Sequence, residues 1–315
     1  MRRSWSRGLF GSPARSLVVA ALTSTTLLTG CSATGQASGA GPSVVAAFYP
    51  YAFVAERVVG PYATVTNLTA PGLEPHDLEL TPRQVGSIEQ ADVVVFERGF
   101  QPAVDAAVDQ NAEGDAFDVT SVVPLEDTGA PDTDAGDSGS SLSGDPHIWL
   151  DPTRLAAVTK AFARTMGQVD PVHAVAYRRN AAALVAELGR LDRAYRAGLG
   201  DCARTEFVTS HAAFGYLARR YGLQMIAISG LTPDAEPSPE RLGQLAALVR
   251  RDGITTVFSE VLASQQIADT LADEVGVRTA VLDPIEGLPQ SGSSQDYFSI
   301  MRSNLAALEK ANGCS

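Results

Sequence analysis

Lysine is almost missing from this 315-residue chain: Lys160 and Lys310 are its only two, so nearly all basic charge is arginine. Bases are also outnumbered, 24 against 36 acids, for a formal net charge of −12. That balance argues against nucleic acid or an anionic surface as partner, and suits a cationic ligand. Cysteine occurs three times and histidine four. No apolar run is long enough for a good membrane span; the longest candidate, Leu17–Leu28, is short and broken by Ser and Thr. What remains is ordinary for a globular chain of two domains: 45% apolar residues, enough for real cores, and 19% charged.

The first thirty residues read as a signal peptide. Arg2, Arg3, Arg7 and Arg15 form a basic n-region, followed by the short apolar stretch. It ends in Leu28-Thr29-Gly30-Cys31, which resembles a bacterial lipobox, where cleavage exposes Cys31 for lipidation. Residues 31–42, rich in Ser, Gly and Ala, are then a lipidated flexible tether. Removing the leader takes four bases and no acids, leaving 36 acids against 20 bases. It also leaves two cysteines, Cys202 and Cys314. In an oxidising compartment an even pair points to a disulfide, which would tie together the two ends of the chain's second half.

Past the tether, strand and helix patterns alternate. Strands are expected at 43–48, 64–69, 91–96 and 116–120, with helices at 81–88, opened by Thr81-Pro82, and at 102–111. The stretch 121–145 breaks this rhythm. It is rich in Gly, Ser and Asp, has no basic residue, and reads as a mobile acidic loop with weak cation capture as its sharper reading. Asp151-Pro152 opens a helix to about 167. Asp170-Pro171 opens a longer one to about 198, with an apolar stripe at Tyr177, Leu184, Leu188, Leu191 and Tyr195. The alternation restarts with strands at 206–210, 224–229, 255–260 and 278–283 and helices between and after them. Such alternation predicts parallel sheets flanked by helices. The fold class is therefore α/β: two lobes, each with a four-stranded parallel sheet, joined by one long rigid helix. The N-terminal metal-binding lobe is 43–168, the linker helix 169–199 and the C-terminal metal-binding lobe 200–315. No repeat between the halves is visible.

Three of the four histidines occupy one kind of place. His76 lies in a loop after a strand, His147 just ahead of a helix, and His211 at a strand's carboxyl end; Asp283 stands at the end of the last strand. In open α/β sheets ligands bind outside the carboxyl ends of strands. Two histidines from one lobe, with a histidine and an aspartate from the other, predict a site in the cleft between lobes. Three imidazoles and a carboxylate suit zinc, which takes four N, O or S ligands in a tetrahedron. Glu260 ends a strand beside the cleft and reads as a second-shell partner of a histidine or an alternative fourth ligand. His173, at the start of the long helix, reads as solvated or capping, and Glu74 as a solvated loop residue.

Five stretches carry a family resemblance: Glu74-Pro75-His76-Asp77, Asp145-Pro146-His147-Ile148-Trp149-Leu150-Asp151, Thr209-Ser210-His211-Ala212-Ala213-Phe214-Gly215-Tyr216, residues 230–239, and Leu282-Asp283-Pro284-Ile285-Glu286-Gly287-Leu288. In this order they resemble the zinc solute-binding proteins of ABC importers, the ZnuA/TroA type, over essentially all of 43–315. The resemblance implies a non-enzymatic receptor, anchored by lipid to the outer face of the cytoplasmic membrane. It would work as a monomer, bind one Zn(II) per chain and deliver it to an ABC permease. It matches the ligands to His76, His147, His211 and Asp283, although in some members a nearby glutamate or water takes the fourth place. Manganese-specific relatives often carry Glu where His211 stands, so a manganese receptor is the alternative reading. A zinc hydrolase, which would need an open coordination position and a base such as Glu260, is the reading from a different class. Many zinc members have a His-rich loop before the second ligand; here that loop is acidic.

Overall fold

The computed structural model describes residues 41–129, 144–233 and 237–315. The signal peptide, Cys31, most of the tether and the middle of the acidic loop lie outside the described residues. In the first half, β1 (Ser43–Ala46) leads into α1 (Tyr49–Val59), then β2 (Thr64–Asn67), α2 (Pro82–Glu89), β3 (Val93–Phe96), α3 (Pro102–Asn111) and β4 (Asp115–Asp118). The strands are all parallel, in the order β2-β1-β3-β4. After α4 (Pro152–Val169) and α5 (Ala174–Gly198), the second half runs β5 (Glu206–Thr209), α6 (Gly215–Tyr221), β6 (Gln224–Ala227), α7 (Pro239–Asp252), β7 (Thr256–Ser259), α8 (Gln266–Val275), β8 (Arg278–Val281) and α9 (Tyr297–Asn312). Its parallel sheet has the order β6-β5-β7-β8. Position for position this is the order of the first sheet. The two halves repeat a topology whose sequence repeat is not visible.

Local chemistry explains the element ends. Thr81 accepts a hydrogen bond from the Gln84 N–H, and Gln84 reaches back to the Thr81 N–H, a complete capping box with Pro82 at the first helical turn. Asp296 caps α9 with a second capping box, and Asp151 and Ser238 cap α4 and α7 by accepting one backbone N–H each. Helix α1 has no counterpart in the sequence reading. Eight of its eleven residues are buried, including Tyr51, Phe53 and Val58, so it lacks the polar face that makes a helical stripe legible. It supplies the crossover that parallel β1 and β2 require.

Helix α5 buries Tyr177, Leu184, Leu188, Leu191 and Tyr195 along one side, the stripe read from the sequence. A turn of 3-10 helix, Pro171–His173, precedes it, with the His173 Nδ1 2.6 Å from Asp170. A continuous apolar core runs from the first sheet across α1, α4 and α5 to α9, and a smaller one lies between the second sheet, α7 and α8. The halves also touch directly. Phe53 of α1 stacks on Tyr297 of α9 at 5.4 Å, and the Tyr297 hydroxyl donates to the Trp149 carbonyl at 2.7 Å. Trp149 itself is fully buried, and emptying its site costs about 3–5 kcal/mol. Cys202 and Cys314 form a disulfide across 112 residues, joining the entrance of β5 to the end of α9. All described elements belong to one compact unit. Among the described residues no helix is long and apolar enough to cross a membrane.

Candidate metal centre

The loop after β2 carries His76. The Gln101 side chain holds this loop by donating to the Pro75 carbonyl at 3.0 Å, and Phe100 packs edge-on against the imidazole. Within it, Glu74 accepts the His76 N–H at 3.1 Å. The expected solvation of Glu74 is not found: its Oε2 is buried without a hydrogen-bond partner, and burial, reinforced by the nearby Glu286, pushes its pKa up to about 8.

His147 stands on the segment that leads into α4. Asp145 accepts both the His147 N–H, at 2.9 Å, and the ring Nδ1–H, at 2.8 Å. Two residues on, the Trp149 indole N–H donates 2.7 Å to the carbonyl of Pro284, which fixes this segment to the loop after β8. Asp145 also closes the base of the acidic stretch. It pairs antiparallel with Glu126, accepts from the Thr128 hydroxyl at 2.6 Å, and its carbonyl accepts from the Tyr216 hydroxyl of α6 at 2.8 Å. The Glu126 N–H donates to the same Tyr216 oxygen. Gly215 lets these groups approach, since a Cβ there would lie 2.1 Å from the Thr128 hydroxyl. The expected mobile loop is thus tightly rooted at 126–128 and 144–145, while its centre and any cation capture there lie outside the described residues.

His211 stands two residues past the end of β5, the strand at the point where the order of the second sheet reverses. Its Nδ1 sits 2.8 Å from both oxygens of Glu260, so Glu260 holds the ring from behind. Glu286 comes from the loop after β8. Its Oε1 lies 3.4 Å from the His76 Nε2, 3.3 Å from the His147 Nε2 and 3.2 Å from the His211 Nε2. The structure therefore brings His76, His147 and His211 together, and adds Glu286. All four are buried, and their ligand atoms lie within 4.8 Å of one another.

Asp283, the expected fourth position, is not brought into this group. Its Oδ1 accepts the Ile285 N–H at 2.8 Å, and its backbone is clamped on both sides by the Asn304 amide. Burial raises its pKa to about 6. The carboxylate is occupied in building a turn. That turn holds Ile285 at φ +60°, a conformation costly for a β-branched residue, and so swings Glu286 onto the histidines. The sequence signal for this was faint. Asp283 stands nearer the strand end, and nothing in the residue types marks Ile285 as left-handed.

The electrostatics fit a cation. Nδ1 of His147 and of His211 each faces a carboxylate, which leaves Nε2 as the nitrogen free to take a metal. The two Nε2 atoms lie 3.3 Å apart, close enough to face a single cation. Burial acts to lower the His211 pKa, but Glu260 and Glu286 carry it well above the ordinary value. Burial lowers His76, and burial alone would raise Glu286, which the three histidines instead hold well below the usual carboxylate range. Four ligands at zinc distances of about 2.05 Å in a tetrahedron are ~3.3 Å apart. The Glu286–histidine and His147–His211 separations already have that spacing.

The family model described as "Zinc-uptake complex component A periplasmic" (ZnuA) matches residues 44–311. The chain belongs to this family. Its members are metal-binding receptors for uptake and not enzymes, and among the described residues His76, His147, His211 and Glu286 form the one group that could hold a metal ion. The chain is 36% identical to the zinc-binding lipoprotein AdcA of Streptococcus pneumoniae, over 90% of this chain and 58% of AdcA, and so spans little more than half of that protein. It is 33% identical to the high-affinity zinc uptake system protein ZnuA of Bacillus subtilis over 98% of both chains. The crystal structure of the Zn(II)-bound ZnuA-like domain of S. pneumoniae AdcA superposes with a TM-score of 0.71 at 35% identity, covering 86% of this chain and 99% of that domain.

Proposed function

We propose that this chain is an extracytoplasmic zinc receptor, anchored by lipid on Cys31, that captures one Zn(II) between its two halves and delivers it to an ABC-type permease. The ligands are His76, His147, His211 and Glu286. The observation that carries the reading is the convergence of three Nε2 atoms on one Glu286 oxygen at 3.2–3.4 Å, with two of the rings oriented by Asp145 and Glu260.

Four protein ligands fill zinc's tetrahedron and leave no open position for an attacking water, which suits capture and release and opposes a hydrolase. His76 and His147 come from the first half, His211 and Glu286 from the second. Binding therefore couples the metal to the relation between halves, a geometry that a permease can read. The Trp149–Pro284 hydrogen bond and the α1–α9 packing keep any such change small. A manganese receptor of the same family is the second reading; a third imidazole at His211 favours zinc over manganese.

A chelator-competition titration with zinc and with manganese tests the proposal. One tightly bound zinc per chain, with manganese far weaker, is expected. Equal affinity for the two metals would reassign the cargo, and zinc binding undiminished by loss of His147 would sink the site.

A further inference from the structure

The outward side of α5 departs from the charge of the rest of the molecule. Every exposed residue of this 25-residue helix is Val175, an alanine or an arginine. Its two acids are half-buried and already held, Glu187 by Arg57 at 2.5 Å and Asp192 by Arg220 at 2.7 Å and Arg196 at 3.3 Å. Arg178, Arg179, Arg190 and Arg193 are exposed and make no hydrogen bond or ion pair with other described residues. At 100° per residue they share one side of the helix, opposite the buried Tyr177–Tyr195 stripe. The chain is strongly acidic overall, so a face with free arginines and no exposed acid is a local reversal of sign.

The same face has an apolar end. Val172 and Val175, at the start of the helix, are 85% and 70% exposed. Beside them the His173 ring stacks on Tyr62 at 4.4 Å. The described chain begins here as well. The Pro42 carbonyl accepts the Thr64 N–H, and Gly41 lies so close to Tyr62 that a Cβ would come within 1.9 Å of its carbonyl oxygen. Gly41, the first described residue, therefore lies against Tyr62, whose ring meets His173, the residue after Val172. Nine residues lie between Cys31 and Gly41, a reach of at most ~35 Å, about the length of α5 itself.

We propose that the outer face of α5 is a membrane-contact surface that lies along anionic phospholipid headgroups, its arginines on the phosphates and Val172 and Val175 entering the interface at the tether end. Alanines between the arginines let the helix approach closely, and arginines pair bidentately with phosphate. This rests on the proposed lipid anchor for nearness to the bilayer; the face itself supplies orientation, holding the receptor on its long helix. The whole-chain charge hides this surface, because the acids lie elsewhere.

Flotation of residues 32–315, which retain the whole described unit and carry no lipid, tests the face apart from the anchor. The probes are vesicles of phosphatidylcholine alone and of phosphatidylcholine with phosphatidylglycerol. Binding to the anionic vesicles only, lost at high salt, is expected. The triple variant R178E/R179E/R190E is expected to weaken it on the order of tenfold or more while keeping its zinc stoichiometry. The triple alanine variant, milder for folding, is expected to weaken it less but in the same direction. No binding to anionic vesicles at low salt, equal binding to neutral ones, or binding unchanged in both variants overturns the proposal. The mass of the full chain extracted from membranes decides the Cys31 anchor separately.

Discussion

His147 and His211, contributed by opposite halves of the chain, point their Nε2 atoms at each other across 3.3 Å, and each has its other nitrogen on its own carboxylate. Both rings are set before any cation arrives, so binding costs little reorganisation in these two ligands. The unequal duties of the surrounding carboxylates lead directly to mutational tests.

Glu286 faces the three imidazoles, whereas Asp283 builds the turn that presents it. Glu286→Gln removes a ligand charge and is expected to weaken zinc binding by more than the ~10–100-fold typical of outer-shell changes. Asp283→Asn keeps an oxygen for the Ile285 N–H and is expected to leave zinc stoichiometry intact. Chelator competition on the two variants separates them, and a larger loss in Asp283→Asn would return that residue to the metal.

Asp145 and Glu260 each orient one ring through Nδ1. Asp145→Asn and Glu260→Gln are expected to lower zinc affinity about 10–100-fold each, without changing the one-to-one stoichiometry. Isothermal titration at fixed pH reads both effects. An unaffected Glu260→Gln would mean that the His211 ring is held by packing alone.

Glu97, at the end of β3, is buried with only the Tyr51 hydroxyl against it, and one of its oxygens has no partner. Burial, with Asp145 and Asp118 nearby, drives its pKa well above 4.5. The folded chain therefore keeps this carboxyl protonated while the unfolded chain ionises it. Its contribution to stability is present at low pH and is lost as pH rises from about the unfolded value towards the raised folded one. Glu97→Gln should therefore raise Tm more at pH 8 than at pH 4.5, measured on metal-free protein. The opposite trend would show an ionised Glu97 in the fold.

The Cys202–Cys314 bridge closes a loop of more than a hundred residues and restricts the unfolded chain accordingly. Replacing both cysteines by serine is expected to cost about 2–4 kcal/mol, seen as a lower denaturant midpoint. Zinc stoichiometry should survive, since the bridge is not among the groups around the metal.

The sequence made the strand–helix alternation legible because most helices kept a polar face and clear caps, as Thr81-Pro82 shows. It hid α1, whose burial on nearly all sides erased its period. The three histidines stood out by type and by their place after strands. Glu286 did not, because its position depends on a left-handed Ile285 and an Asp283 side chain turned to the backbone, neither of which residue type announces. Glu74 looked solvated for a related reason: adjacency to a histidine says nothing of what the next loop lays over it.

The clasp at the foot of the acidic stretch has a consequence for how such receptors diversify. Glu126, Thr128 and Asp145 are joined to each other and to Tyr216 before the intervening chain begins. The orientation of His147 is settled at that clasp. Residues between its two arms can be lengthened, shortened or exchanged for another composition while the imidazole stays where it is. The molecule thus offers a graftable position a few residues from its metal, open to evolutionary change in loop chemistry without rebuilding the centre.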